Sequence, residues 1–132
     1  SDTVRVAQRA MTDGGWGDEA GGSAHSFATA HALLTLSLAP RDERVNAALR
    51  EGTQWLLKRQ RSDGWWPTVP ILRIPDPEAS DVSSFSPSHR PMAGTNILVP
   101  DDRRVFTTAA ALRALSRCRT VIQASRAEGL QR

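Results

Sequence analysis

Phe27-Ala28-Thr29-Ala30-His31-Ala32-Leu33 and Phe106-Thr107-Thr108-Ala109-Ala110-Ala111-Leu112 carry the same pattern, F-x-T-A-x-A-L, and in each copy a further leucine follows, Leu36 and Leu115. A second pair recurs in the same order: Thr12-Asp13-Gly14-Gly15-Trp16 against Ser62-Asp63-Gly64-Trp65-Trp66. Ordered recurrence of a turn and an apolar segment marks a repeat array. One unit of such an array cannot bury its apolar helix alone and relies on stacked neighbours.

Working outward from the first copy, Ser26 to Leu38 is apolar on nearly every side, with Phe27, Ala30, Leu33, Leu34 and Leu36 covering most of the helical wheel. Such a helix needs covering all round. Glu43 to Arg61 instead places Val45, Leu49, Gly52, Trp55 and Leu56 at helical spacing, with Arg44, Arg50, Glu51, Lys58 and Arg59 largely elsewhere, which reads as an amphipathic helix with one wet side. The connection Pro40-Arg41-Asp42 is short enough to make the two helices antiparallel neighbours. Asp42 is placed to cap the second helix, and Lys58, Arg59 and Arg61 suit the negative end of its dipole.

Residues 67–100 hold seven of the eight prolines, whose fixed φ and missing amide donors exclude a long helix. This Pro-rich insertion, with Asp76, Glu78, Asp81 and Arg90, reads either as a recognition surface or lid or as a plain insertion. A third helix is expected over 103–122, with Asp101 and Asp102 as caps and fraying from Val121 to Gly129. The expected fold is all-α, a partial α/α toroid of antiparallel helical hairpins within a single domain spanning 1–132, with helices over 26–38, 43–61 and 103–122. The chain opens at Ser1 inside a repeat and without Met, which reads as a piece of something longer.

Composition narrows the function classes. The formal charge is +3, and 16 of the 17 basic residues are Arg, a bias that fits a GC-rich bacterial genome. Arg5, Arg41, Arg73, Arg103 and Arg126 are scattered among 14 acids, so the basic face of a nucleic-acid binder is missing. A lone cysteine, Cys118, excludes an internal disulfide and fits a reducing, cytoplasmic setting. No apolar run reaches the roughly 18 residues that a membrane span requires.

Arg50-Glu51-Gly52-Thr53-Gln54-Trp55-Leu56-Leu57-Lys58-Arg59-Gln60-Arg61-Ser62-Asp63-Gly64-Trp65-Trp66 resembles a QW motif of the squalene-hopene and oxidosqualene cyclase superfamily, in Gly52, Trp55, Gln60, Gly64 and Trp66. A weaker copy pairs Gln8 with Gly15 and Trp16. The resemblance, which extends to protein prenyltransferases, covers roughly residues 8–66 and 103–118. It implies an outer helix over Glu43 to Arg61 and inner helices over Ser26 to Leu38 and Arg104 to Arg117, around a cavity. The motif has a physical role of its own. A Gln amide at a helix end can satisfy orphan backbone groups while the following Trp stacks on it and seals the turn, a structural function that marks architecture and not reaction.

The resemblance also says which chemistry to seek. Class II cyclases protonate an alkene with an Asp in a D-x-D-D-T pattern, but aligned on Thr108-Ala109 this chain has Arg104-Val105-Phe106-Thr107 there. Asp101 and Asp102 lie upstream, with Val99 where a leading Asp would stand, and read as caps. The zinc set of the prenyltransferases is incomplete: Ser116 precedes Cys118 where an Asp is needed, and His25 and His31, six residues apart, point to different faces. His25 is expected at a helix start and His31 buried on a helix face with a hydrogen-bond partner. No catalytic residue, cofactor or metal ligand is assigned, and no phosphate-binding glycine loop is present.

Phe27, His31, Trp65, Trp66 and Phe106 are the candidates for lining an apolar cavity, against packing as the ordinary role of such aromatic residues. Two functions remain. One is a non-catalytic helical repeat module that binds a protein partner, its own copies or a missing segment through its apolar inner helices. The other is a piece of a class II terpenoid cyclase-like enzyme, its acid elsewhere, whose aromatic residues shape an isoprenoid or lipid cavity and stabilise cations.

Overall fold

The structure, a computed structural model, describes residues 13–17, 23–74 and 97–130. It contains helices α1 (Ser26–Ser37), α2 (Glu43–Arg59) and α3 (Val105–Leu130), with a small ribbon of β1 (Leu72–Ile74) and β2 (Ile97–Val99) between the second and third. Gln8 and the acidic and basic residues Asp76, Glu78, Asp81 and Arg90 lie outside the described residues.

Each helix starts at a side chain that answers its orphan amides. His25, in extended conformation, caps α1 by accepting from the Ala28 N–H at Nδ1 (3.2 Å). Asp42 caps α2, accepting from Val45 N–H at 2.8 Å. At α3, Asp101 alone does this work: its buried carboxylate accepts from Thr107 N–H at 2.7 Å and from Phe106 N–H at 3.4 Å. Asp102 stays exposed, which corrects its expected role as a cap. The approach bends sharply through Arg104, at φ 58, whose amide donates to the Asp101 carbonyl.

α1 stops one residue short of the expected Leu38 and α3 begins at Val105, two residues after the expected start, and two further ends differ. α2 stops at Arg59 because Gln60 turns extended, two residues short of Arg61. α3 runs on to Leu130 where fraying was expected beyond Val121. Val121 is buried and Ile122 packs on the core, and Gln123-Ala124-Ser125-Arg126-Ala127-Glu128 contains no helix breaker. The Pro-rich excursion also holds regular structure. β1 pairs antiparallel with β2 in the register Leu72↔Val99, Arg73↔Leu98, Ile74↔Ile97, so the chain leaves and re-enters at one point.

The core forms where α1 lies between α2 and α3. Leu33 and Leu36 from α1, Leu49, Trp55 and Leu56 from α2, and Ala111, Ala114 and Cys118 from α3 are buried together with Trp16 and Trp66. α1 and α2 form the antiparallel hairpin that their short connection dictates. α1 and α3 run parallel: Cys118 Sγ lies 4.0 Å from the Leu33 carbonyl and Arg41 meets Ser125, so the contacts keep nearly constant separations of 85 and 84 residues. The face that α3 offers to α1 is built from small residues, Thr107, Ala111, Ala114 and Cys118, which allow close approach of the two axes. The architecture is an all-α, partial α/α toroid: two parallel inner helices, one outer helix and a two-stranded excursion.

Candidate functional site

The turn after α2 is sealed by side chains of the repeat motif. Trp66 is fully buried and its indole Nε1–H donates to the Leu56 carbonyl at 2.8 Å, one of the last carbonyls of α2. Gln60 Nε2 donates to the Gly64 carbonyl at 3.1 Å. The expected division of labour is thus reversed, since the Trp satisfies the helix end and the Gln braces the turn. Gly64 sits at φ 96, which glycine adopts without cost, and the Arg61 backbone bonds across the turn to two residues: its N–H donates to the Trp65 carbonyl and its carbonyl accepts from Gly64 N–H, each 2.8 Å.

The earlier turn is fastened to the same helix. Trp55 Nε1–H donates to Asp13 Oδ2 at 3.1 Å, and the Arg59 guanidinium lies 3.7 Å over the Trp55 ring. That indole bond is the main cause holding the Asp13 carboxyl below its usual range. Trp16 packs under Gly52, and the Thr29 hydroxyl clamps its backbone, accepting from Trp16 N–H at 2.9 Å and donating to its carbonyl at 3.2 Å.

The five cavity candidates do not come together. Trp66 is enclosed in the core. Trp65 stacks beneath the Arg104 guanidinium at 3.7 Å, with Arg61 at 5.7 Å, and so ties the turn to the start of α3. Phe27 and His31 form an edge-on pair on α1 with centroids 4.4 Å apart, and His31 is exposed where a buried position was expected. Position 31 points away from the core face of Thr29, Ala30, Leu33 and Leu36, which explains its exposure. Phe106 is 65% exposed on α3.

What the parallel helices do create is an open groove of about 660 Å³ between the C-terminal half of α1 and the middle of α3. His31, Leu34 and Leu38 form its α1 wall; Arg113 and Arg117 dominate the α3 wall, with the hydroxyls of Thr35, Ser116 and Thr120 between. Helical arithmetic relates both walls to the repeated motif. Phe27, His31, Leu34 and Leu38 fall at i, i+4, i+7 and i+11, and so do Phe106, Ala110, Arg113 and Arg117. Reading the sequence for aromatic residues missed the two arginines, although counting one helical face down from Phe106 reaches both.

The acidic chemistry at the start of α3 is restrained. Burial pushes the Asp101 carboxyl up, but the amides of Thr107 and Phe106 and the Thr107 hydroxyl outweigh it and hold the group below the usual carboxylate range. A carboxylate so held stays ionised and is a poor proton donor. At the aligned position of the alkene-protonating motif, Arg104 stacks on Trp65, Val105 and Phe106 face outward, and Thr107 is buried with its hydroxyl 2.8 Å from that of Thr68. Cys118 is buried, and loss of solvent pushes its thiol up, which suits packing and not a thiolate ligand. Among the described residues no three His, Cys, Asp or Glu side chains cluster as a metal would require.

The chain matches no protein-family model and no curated protein. Among solved structures it is similar to the type II terpene cyclase MstE from Scytonema. The D109A variant of MstE with merosterolic acid A as product gives a TM-score of 0.76 and 28% identity, over 90% of this chain and 34% of that one. The R337A variant with geranylgeranyl dihydroxybenzoate as substrate gives 0.75 and 28%, over 90% and 36%. A protein from Actinoplanes gives 0.74 and 27%, over 88% and 35%. The chain therefore spans about a third of the length of these neighbours. Parallel inner helices, an outer helix sealed by Trp66 and this set of neighbours together establish that the chain has a terpenoid cyclase-like α/α fold.

Proposed function

We propose that the chain acts as a non-catalytic repeat module of a terpenoid cyclase-like ring, working by assembly with further repeats or a partner chain. The observation that carries this reading is the free side of α3. Val105 and Leu112, one helical face, are 59% and 54% exposed, whereas Leu33, the counterpart of Leu112 in the first repeat, is fully buried against Gly52 of α2. An inner helix of this kind holds its shape with one flank covered and offers the other to an amphipathic helix of the α2 type. The depressed Asp101 carboxyl supports the non-catalytic part of the reading. The free thiol of Cys118 goes with a cytoplasmic setting, and none of the described helices is long and apolar enough to cross a membrane.

The test is solution mass by light scattering together with titration of a hydrophobic dye, on the chain and on Leu112→Glu. A dimer with little dye binding that becomes a monomer on Leu112→Glu, or a monomer whose dye binding falls sharply on that substitution, supports the assembly surface. A monomer with negligible dye binding, unchanged by Leu112→Glu, refutes it.

A second reading is favoured by the groove itself. The wall formed by His31, Leu34 and Leu38 faces an open volume between inner helices, and the MstE structures similar to this chain hold merosterolic acid A as product or geranylgeranyl dihydroxybenzoate as substrate. On this reading the module contributes one side of an isoprenoid cavity in a larger cyclase-like protein, with the alkene-protonating acid supplied elsewhere.

A further inference from the structure

The flank of α3 turned away from the groove carries mostly apolar residues at alternating spacings of three and four: Val105, Thr108, Leu112 and Leu115. That is the spacing of a seam between two packed helices. Aligning Phe27 with Phe106 gives their counterparts in α1 as Ser26, Thr29, Leu33 and Leu36, all of them buried. In α3 the same positions are half-buried at Thr108 and Leu115 and exposed at Val105 and Leu112.

The seam does not end where α1 does. α1 stops at Ser37, whose counterpart is Ser116, whereas α3 continues to Leu130. Over that extension the spacing goes on through Arg119, Ile122 and Arg126, with Ile122 half-buried and both arginines exposed. Among the described residues neither Arg119 nor Arg126 has an ion pair or a hydrogen bond, whereas Arg50 and Arg59 pair with Glu43 and Asp13. α3 holds four arginines and one acid, and that acid, Glu128, lies by Arg41 on another side of the helix. A helix laid along this seam therefore meets apolar side chains first and then two guanidiniums one heptad apart, which favour carboxylates opposite them and disfavour cations.

None of the described helices supplies those carboxylates. α2 spends its apolar stripe, Val45, Leu49, Gly52 and Leu56, on the core, and its other faces are net basic, with Arg44, Arg50, Lys58 and Arg59 against Glu43 and Glu51. A second copy of α3 offers the same seam, which contains no acid. Resting on the assembly reading above, we infer that the free seam of α3 receives an acidic amphipathic helix of a different protein chain, apolar along its contact and carrying carboxylates one heptad apart that pair with Arg119 and Arg126. Set antiparallel on α3, as α2 is on α1, such a helix brings its first turns to the two arginines, where carboxylates also suit its own dipole.

The experiment is fluorescence anisotropy of labelled synthetic peptides of about three heptads with leucine at the seam, identical except for two positions near the N-terminus that are Glu, Gln or Lys, titrated with the 132-residue chain. The chain is also prepared as Arg119→Gln/Arg126→Gln, as Leu112→Glu and, for control on the groove side, as Arg113→Gln/Arg117→Gln. All of these positions are exposed, and circular dichroism melts accompany each variant. The Glu peptide is expected to bind about tenfold tighter than its Gln twin and the Lys peptide more weakly than both, with the difference shrinking as salt is added. Arg119→Gln/Arg126→Gln removes that preference, Leu112→Glu removes binding of every peptide, and the groove-side control changes neither. Glu and Gln peptides of equal affinity, or a preference that survives Arg119→Gln/Arg126→Gln, overturn the acidic partner, and loss of binding on Leu112→Glu then leaves the assembly surface standing. A dimer that light scattering shows to persist in the presence of the Glu peptide assigns the seam to a second copy and overturns it likewise. Binding of no peptide overturns it too, and the dye titration of Leu112→Glu then decides the assembly reading on its own.

Discussion

Gly52→Ala sets two opposite effects against each other, and the structure decides between them. Gly52 lies inside α2, where replacing Gly with Ala favours the helix by about 1 kcal/mol. A Cβ at this position would stand 2.6 Å from Trp16 Cζ3 and 2.7 Å from Leu33 Cδ2, with Leu33 Cγ at 3.3 Å. Ordinary carbon contacts lie near 3.5–4.0 Å, so two neighbours must each yield by about 1 Å. Leu33 is fully buried and Trp16 is 4% exposed, so neither has open space to enter. Overpacking of this kind costs about 1–3 kcal/mol, and moving Leu33 also disturbs the contact of α1 with α3. With neighbours this enclosed the steric effect wins, and a net loss of up to about 2 kcal/mol is expected. Gly129 is the internal control: it lies in α3 with nothing within 4 Å of its would-be Cβ, so Gly129→Ala is expected to be neutral or to stabilise by up to about 0.5 kcal/mol. Urea unfolding of both variants gives the measurement, and thermal melts should move by roughly 4 °C per kcal/mol. If Gly52→Ala is as stable as the parent or more so, the close packing of α1, α2 and Trp16 is wrong, whatever Gly129→Ala does.

Trp66→Phe keeps most of the buried ring but removes the donor to the Leu56 carbonyl, and should cost about 1–3 kcal/mol in the same unfolding assay; a change below about 0.5 kcal/mol would mean that this bond does not fasten the end of α2. Asp101→Asn retains one acceptor for two amides and loses the charge at the start of α3, for an expected cost of about 1–2 kcal/mol near pH 7. Because the folded-state pKa of Asp101 is depressed, its contribution is present above about pH 4 and is lost as pH falls through the folded value. Stability measured against pH should therefore drop less on acidification in Asp101→Asn than in the parent, and parallel curves would contradict the assignment.

What was legible in the sequence was the pattern set by local chemistry. Asp42 announces the start of α2 by its position before an amphipathic run, and Pro40 with two neighbours sets the antiparallel turn. The repeat of Trp16 and Trp66 after aspartate-glycine turns pointed to two sealed turns, and both indoles are buried. Less was legible wherever distance in sequence separates the partners. That Asp101, and not Asp102, caps α3 depends on Arg104 adopting φ 58, a backbone choice that no residue type at 104 declares. That Trp65 stacks under Arg104 depends on a contact across the whole Pro-rich excursion. The β1–β2 pairing was hidden by the prolines around it, although Pro70 and Pro75 lie outside β1 and leave its amides free to pair.

The two copies of F-x-T-A-x-A-L show most directly why a motif does not fix a site. In α1 the motif's Thr29, Ala30 and Leu33 are buried because α2 covers one flank and α3 another. In α3 the counterparts Ala109 and Leu112 are exposed, and the face turned to α1 is drawn from Thr107, Ala111, Ala114 and Cys118 instead. The same residues thus have the same helix propensity in both copies, while burial is assigned by the neighbours each helix has. Small residues on the shared flank bring α3 close to α1. That close, parallel approach leaves the positions after Phe27 and Phe106 lining opposite sides of one groove. A substitution of the exposed Arg113 leaves the core untouched yet changes the chemistry of that groove, because the motif residues specify the helices and the residues between them specify what the helices enclose.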